Sequence, residues 1–225
     1  VYQQYISDTP TTIVSSLKDD GYTCIAMHPY YETGWSRNLV YPHIGFDEMH
    51  FIDYFDQTKI LREYITDQEL YDKIIKRYEN RKNNEKLFFM GITMQNHGGY
   101  TETYDNFPEN YYKVGRSYTD ANQYLSLVHE SDEAVKNLIS YFSKVDDPVE
   151  IIFFGDHQPS LNSNFYPILN GKGLTGLTED ELEKLYTVPF FIWTNYDTPE
   201  ETVDITSLDS VSYTHLRAHE TTLHL

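Results

Sequence analysis

Apolar residues recur along this chain with two periods. In "TPTTIVSSLKDDGYTCIAMH", Ile13, Val14 and Leu17 fall at helical spacing, Gly21 stands where a helix stop belongs, and an apolar run from Tyr22 to Met27 follows. That pattern predicts a helix and then a strand. "TDQELYDKIIKRYENRK" opens with Thr66 and Glu69 in capping-box register and puts Leu70, Ile74 and Tyr78 on one face, which predicts an amphipathic helix. It leads into the nearly continuous apolar run "KLFFMGITM". From Tyr118 to Phe142, Leu125, Val128, Val135, Leu138, Ile139 and Phe142 fit one long helix with a charged break near Glu130 to Glu133. A strand from Val149 to Phe154 comes next, then a short helix opened by a second capping box, Thr178 with Glu181, and a fourth strand in "VPFFIWTN".

Helices and strands therefore alternate, and the strands are apolar on both faces. This predicts an α/β fold with a mainly parallel sheet sandwiched by helices. The aromatic, Gly- and Pro-containing stretches Pro29 to Asp56 and Tyr100 to Gly115 read as long functional loops. From Val211 onward, "VSYTHLRAHETTLHL" loses the fold pattern and carries His215, His219 and His224. We expect one domain over residues 1–210 and a non-native tail over 211–225, whose histidines are non-functional.

Charge narrows the partners. With 17 basic and 35 acidic residues the formal charge is −18, which repels nucleic acid and anionic surfaces, so an anionic substrate needs a local positive centre. Cys24 is the only cysteine and sits mid-strand, which leaves no internal disulfide and makes it core packing rather than a nucleophile. No apolar run approaches the ~18–20 residues of a membrane span. The first residues, "VYQQYISDTP", lack signal-peptide character and a starting methionine, so a piece of a longer protein is expected.

Three predicted strands end in histidine: "YTCIAMH" at His28, "FFMGITMQNH" at His97 and "IIFFGDH" at His157. In a parallel sheet, functional groups gather beyond the carboxyl ends of the strands, so three such endings on neighbouring strands would share one crevice. Asp156 and His157 offer a hard oxygen and a borderline nitrogen, a pair suited to a divalent metal such as Mn²⁺ or Zn²⁺; an Asp-His dipeptide alone is more often an ordinary loop pair, and Gly155 with the apolar strand before it raises the metal reading to equal standing. His97, in "QNHGGY", precedes two glycines that let a ligand approach the backbone; a turn histidine satisfied by local hydrogen bonds is the plain alternative. In "HPYYETGWSR", Trp35 and Arg37 offer an aromatic wall and a forked donor for phosphate or sulfate oxygens, against the plain alternative of a solvated Arg. There is no G-x-S-x-G elbow or P-loop.

Taken in order, "HPYYETGWSRNLVYPHIGFDEMHF", "FFMGITMQNHGGY" and "IIFFGDHQPSL" resemble the lipoteichoic acid synthase group of the alkaline phosphatase and sulfatase superfamily, over about Asp8 to Asp209. The resemblance implies an alkaline phosphatase/sulfatase-like fold, here truncated at the N-terminus. It implies a metal pair at Asp156 and His157 holding manganese, a glycerophosphate-binding histidine at His97, and phosphate-holding residues at Trp35 and Arg37. His28 falls where the family keeps an active-site histidine, and Tyr30 stands where some members have aspartate. The family's threonine nucleophile and a glutamate metal ligand belong to a segment upstream of these motifs. The implied parent is a membrane-anchored, extracytoplasmic phosphoglycerol transferase acting on anionic glycerophospholipid and a glycerophosphate polymer, with a sulfatase- or phosphatase-type hydrolase and a phosphoethanolamine transferase as enzyme alternatives. For the 225 residues themselves, the alternative is a catalytically incomplete fragment that binds polyanionic glycerophosphate or serves as a scaffold.

Overall fold

A reciprocal cap starts the fold. The Thr12 hydroxyl accepts from the Ser15 N–H at 3.2 Å and the Ser15 hydroxyl accepts from the Thr12 N–H at 2.9 Å, satisfying donors that the first turn of helix α1 (Ile13–Asp19) would leave orphaned. Gly21, at φ +85°, then takes the left-handed conformation that a side chain would resist and turns the chain into strand β1 (Tyr22–Met27). The computed structural model describes residues 11–107, 118–200 and 202–207. It divides into two units, Val1–Tyr141 with Pro159–Leu177 and Phe142–Gln158 with Thr178–Leu225.

In the first unit, β1 is the centre of a three-stranded parallel sheet. Strand β2 (Glu48–His50) lies on one side and β5 (Lys86–Gly91) on the other. Cys24, Ile25, Ala26 and Met27 are 0–2% exposed, and burying a side chain such as Ile25 or Met27 stabilises the fold by about 1.5–3 kcal/mol. The face carrying Cys24 and Ala26 packs with Val14 of α1 and with Tyr41 of helix α2 (Arg37–Ile44). The opposite face meets helix α3 (Asp67–Glu79): Gly91 pairs in register with Met27, and a Cβ there would lie 3.4 Å from Ile74 and 3.6 Å from Leu70. A short hairpin, β3 (Ile60–Leu61) and β4 (Tyr64–Ile65), precedes α3. The long helix α4 (Thr119–Phe142) follows the sheet, and the short helix α5 (Tyr166–Asn170) completes the unit. No helix among the described residues is long and apolar enough to cross a membrane.

The second unit contains β6 (Glu150–Phe154), the short helix α6 (Glu179–Glu183) and β7 (Phe190–Thr194). Phe153 and Phe191 stack at 5.2 Å across the β6–β7 pair. Asn195 accepts the Val149 N–H and donates to the carbonyls of Phe142, Val145 and Asp147, closing the chain entry to β6.

Three expectations need revision. The fourth strand is antiparallel to β6, because helix–strand alternation specifies which elements form but not the direction in which two equally apolar strands pair. Helix α4 runs unbroken through Glu130 to Glu133, and its buried face includes the polar Asn122, Gln123, Ser126 and Ser131 while Val128 is exposed. The stretch Pro29 to Asp56 contains α2 and β2 as well as loop. The tail over residues 211–225, and the second loop from residue 108 onward, lie outside the described residues.

Candidate active site

The carboxyl end of β1 delivers His28 directly, and the chain beyond β5 delivers His97; these strands are parallel neighbours. Between them stands Trp35, whose ring centroid lies 6.0 Å from that of His28 and 6.2 Å from that of His97. The Arg37 guanidinium lies 4.4 Å from the Trp35 ring centroid, a cation–π contact, with Nε donating to the Tyr41 hydroxyl at 2.9 Å and Nη1 to the Gly34 carbonyl at 3.3 Å. Trp35 and Ser36 both have positive φ, 52° and 56°, a conformation that costs a non-glycine residue roughly 1–3 kcal/mol and that concentrates at functional sites. Four of the sequence-predicted residues, His28, Trp35, Arg37 and His97, thus meet at one rim of the parallel sheet.

His28 is 1% exposed. Its Nδ1 lies 2.9 Å from the Ile92 carbonyl, an acceptor only, so Nδ1 carries the proton and Nε2 the lone pair. Burial pushes its pKa down to about 4, which keeps the ring neutral near pH 7. Nε2 is buried without a hydrogen-bond partner among the described residues. An unsatisfied acceptor of this kind is costly and suits a ligand hydroxyl.

The segment carrying His97 is fixed by a residue that motif reading did not single out. Arg62, 4% exposed, donates to the carbonyls of Gln95 at 2.9 Å, His97 at 2.7 Å and Gly99 at 2.9 Å, and to Gln123 Oε1 at 3.1 Å. Its guanidinium also lies within 6 Å of the rings of Tyr64, Tyr100 and Tyr104. A second brace runs through buried Asp67, which accepts from Ser131 Oγ at 2.5 Å; Asn96 Nδ2 donates to the same Ser131 oxygen at 2.9 Å, and the Gln95 side chain takes the Asp67 N–H. Burial pushes the Asp67 pKa up to about 6. The signal available in sequence was the polar set Gln123, Ser126 and Ser131 on an otherwise apolar helix face. Tyr64 and Tyr30 complete the wall, with Tyr64 Oη 3.3 Å from His97 Nδ1 and the two tyrosine rings 6.4 Å apart.

Asp156 and His157 follow β6 in the second unit, with side chains 85% and 75% exposed. His157 Nδ1 lies 2.8 Å from the Gln158 carbonyl, so it donates and leaves Nε2 as the lone-pair nitrogen, 3.7 Å from Asp156 Oδ2. A ring nitrogen oriented by a carbonyl on its far side is the usual arrangement of a metal-binding imidazole, so the pair fits one corner of a divalent-cation shell. Among the described residues no group of three or more His, Cys, Asp or Glu side chains is placed to hold a metal.

The sulfatase family model matches residues 1–220, and the chain belongs to that family. It is 26% identical over 220 residues to a Rhizobium meliloti protein named for cyclic β-1,2-glucan modification, covering 94% of this chain and 34% of that relative. It is 30% identical over 146 residues to the lipoteichoic acid synthase of Staphylococcus saprophyticus, covering 62% of this chain and 22% of the relative. The solved Streptococcus pyogenes phosphoglycerol transferase GacH, in complex with sn-glycerol-1-phosphate, aligns with a TM-score of 0.63 at 25% identity over 83% of this chain and 46% of that one. These findings support the lipoteichoic acid synthase group of the alkaline phosphatase and sulfatase superfamily. The chain spans about a third or less of the length of these curated relatives.

Proposed function

We propose that the chain is the phosphate-holding part of a metal-dependent phosphoglycerol transferase-like domain that acts on glycerophosphate-bearing lipids at the outer side of a cell membrane. The observation that carries this reading is the cluster of His28, Trp35, Arg37 and His97, with ring centroids about 6 Å apart in sequence-distant segments. Arg37, held against Trp35 at 4.4 Å from its ring centroid, donates to non-bridging phosphate oxygens, where charge must be offset in phosphoryl transfer. Neutral His28 accepts from a glycerol hydroxyl through Nε2. His97, anchored through its own carbonyl by Arg62, contacts the phosphate from the opposite strand.

Asp156 Oδ2 and His157 Nε2 would hold the divalent cation, Mn²⁺ by the family resemblance. When bound, such an ion offsets phosphoryl charge and lowers the pKa of a hydroxyl nucleophile. The nucleophile in this reading is a threonine of the longer protein, and the parent is membrane-anchored. The family model's sulfatase description favours one second reading, hydrolysis with water as acceptor.

The test is a pair of assays on the full-length protein, against a glycerophospholipid and against an aryl sulfate. Transfer of glycerophosphate that is lost in His97→Ala supports the proposal. Turnover of aryl sulfate alone refutes it.

A further inference from the structure

Beside the cluster lies a pocket of about 160 Å³, whose walls include Tyr30, Tyr31, Gln57, Glu63 and Tyr64. It shares Tyr30 and Tyr64 with the cluster, since Tyr30 is 6.0 Å from His28 and Tyr64 is 5.6 Å from His97, centroid to centroid. Its composition differs from that of its neighbour. None of its lining residues is Lys, Arg or His. The nearby Arg62 turns its Nη atoms to the carbonyls of Gln95, His97 and Gly99 and to Gln123. A second phosphate would therefore meet the Glu63 carboxylate and no cation, an arrangement that costs rather than stabilises.

We propose that this pocket is a subsite for a neutral carbohydrate ring. Three phenol rings supply apolar faces with hydroxyl handles, and Tyr31, which stacks edge-on against Tyr30 at 5.2 Å, keeps 59% of its surface exposed. The Glu63 carboxylate accepts from ring hydroxyls, and the Gln57 amide both donates and accepts. Few polar groups fixing an otherwise apolar lining is how small-ligand sites set orientation, and the shared tyrosines would bring a bound ring against the phosphate cluster. The inference rests on the proposed function only for what lies next door, since the pocket's own chemistry selects the ring.

The test titrates methyl β-D-glucopyranoside, sn-glycerol-1-phosphate and inorganic phosphate separately into the 225-residue chain, by calorimetry and ligand-observed NMR. The glucoside is expected to bind with a dissociation constant of the order of 1 mM, and Tyr31→Ala and Glu63→Gln each to weaken it about tenfold, the loss of one good polar or aromatic contact. Both variants should leave sn-glycerol-1-phosphate affinity within about twofold, whereas His97→Ala should lower that affinity and spare the glucoside. Glucoside binding by a parent chain that binds no sn-glycerol-1-phosphate supports the pocket and sinks the neighbouring phosphate site. Absence of saturable glucoside binding overturns the subsite, and phosphate binding that disappears in Tyr31→Ala overturns it in favour of an anion pocket.

Discussion

The rim of the parallel sheet and the end of β6 both present histidines after apolar strands, yet they are built differently. At the first, His28 is 1% exposed, Arg37 is 9% exposed and clamped to Trp35 and Tyr41, and the backbone around His97 is bonded by a buried guanidinium. At the second, the side chains of Asp156 and His157 are 85% and 75% exposed, and their recorded bonds run to each other and to the Gln158 carbonyl. The difference teaches that packing within the first unit preorganises the sheet-rim cluster, which would lower the cost of ordering on binding the anion proposed for it. The Asp-His pair is oriented only locally, and two ligands hold a cation weakly.

The largest expected effect separates these regions by removing the brace. Arg62→Met would orphan the buried Gln95 carbonyl and the partly buried carbonyls of His97 and Gly99, and should cost roughly 3–5 kcal/mol in urea unfolding. Arg62→Lys, keeping the charge but not the fork, should lose less and still weaken glycerophosphate binding. An Arg62→Met variant as stable as the parent would remove the brace from the explanation.

Acid titration sharpens the same contrast, because two buried groups of the first unit that titrate in the acid range, His28 and Asp67, are perturbed in opposite directions. The His28 pKa is depressed from 6.5 to about 4, so the folded state binds fewer protons and loses about 3 kcal/mol as pH falls through that window. The Asp67 pKa is raised from 3.8 to about 6, so the folded state binds more protons and regains about 3 kcal/mol over nearly the same range as pH falls. These contributions oppose each other. Asp67→Asn should therefore make urea stability fall more steeply between pH 6 and pH 4 than in the parent, and an unchanged slope would show that Asp67 does not carry this compensation.

A smaller effect is expected in the ligand itself. Arg37→Ala should weaken glycerophosphate binding about tenfold to a hundredfold, the worth of one hydrogen bond to a charged group. Smallest is the metal: the isolated chain should bind Mn²⁺ weakly and show no measurable transferase activity. Tight calorimetric binding lost in Asp156→Ala would contradict the two-ligand picture.

Much of this was legible in sequence because it rests on local rules. Gly21 marks the end of α1, Thr66 and Thr178 cap the helices they precede, and the run ending at Met27 is the buried central strand. The ordered motifs picked out His28, Trp35, Arg37 and His97, which the fold brings together. Thr66 shows where local reading stops: its hydroxyl accepts the Glu69 N–H, but the Glu69 carboxylate takes the Asp56 N–H instead of closing the box. Arg62 was invisible because three of its four acceptors are backbone carbonyls more than thirty residues away in sequence, which carry no side-chain signature. Ser131 and Gln123 looked like interruptions of an apolar face, and are instead where α4 meets the His97 segment. The β6–β7 direction was illegible because both strands are apolar on both faces apart from Glu150 and Thr194 at their ends.

The most direct measurement is a calorimetric titration of sn-glycerol-1-phosphate, without added metal, into the 225-residue chain, its His97→Ala variant and an Asp156→Ala/His157→Ala double variant. Saturable binding abolished in the first variant and retained in the second is the expected result. Binding that survives loss of His97 but disappears with the Asp-His pair would show that the sheet-rim cluster does not hold the phosphate.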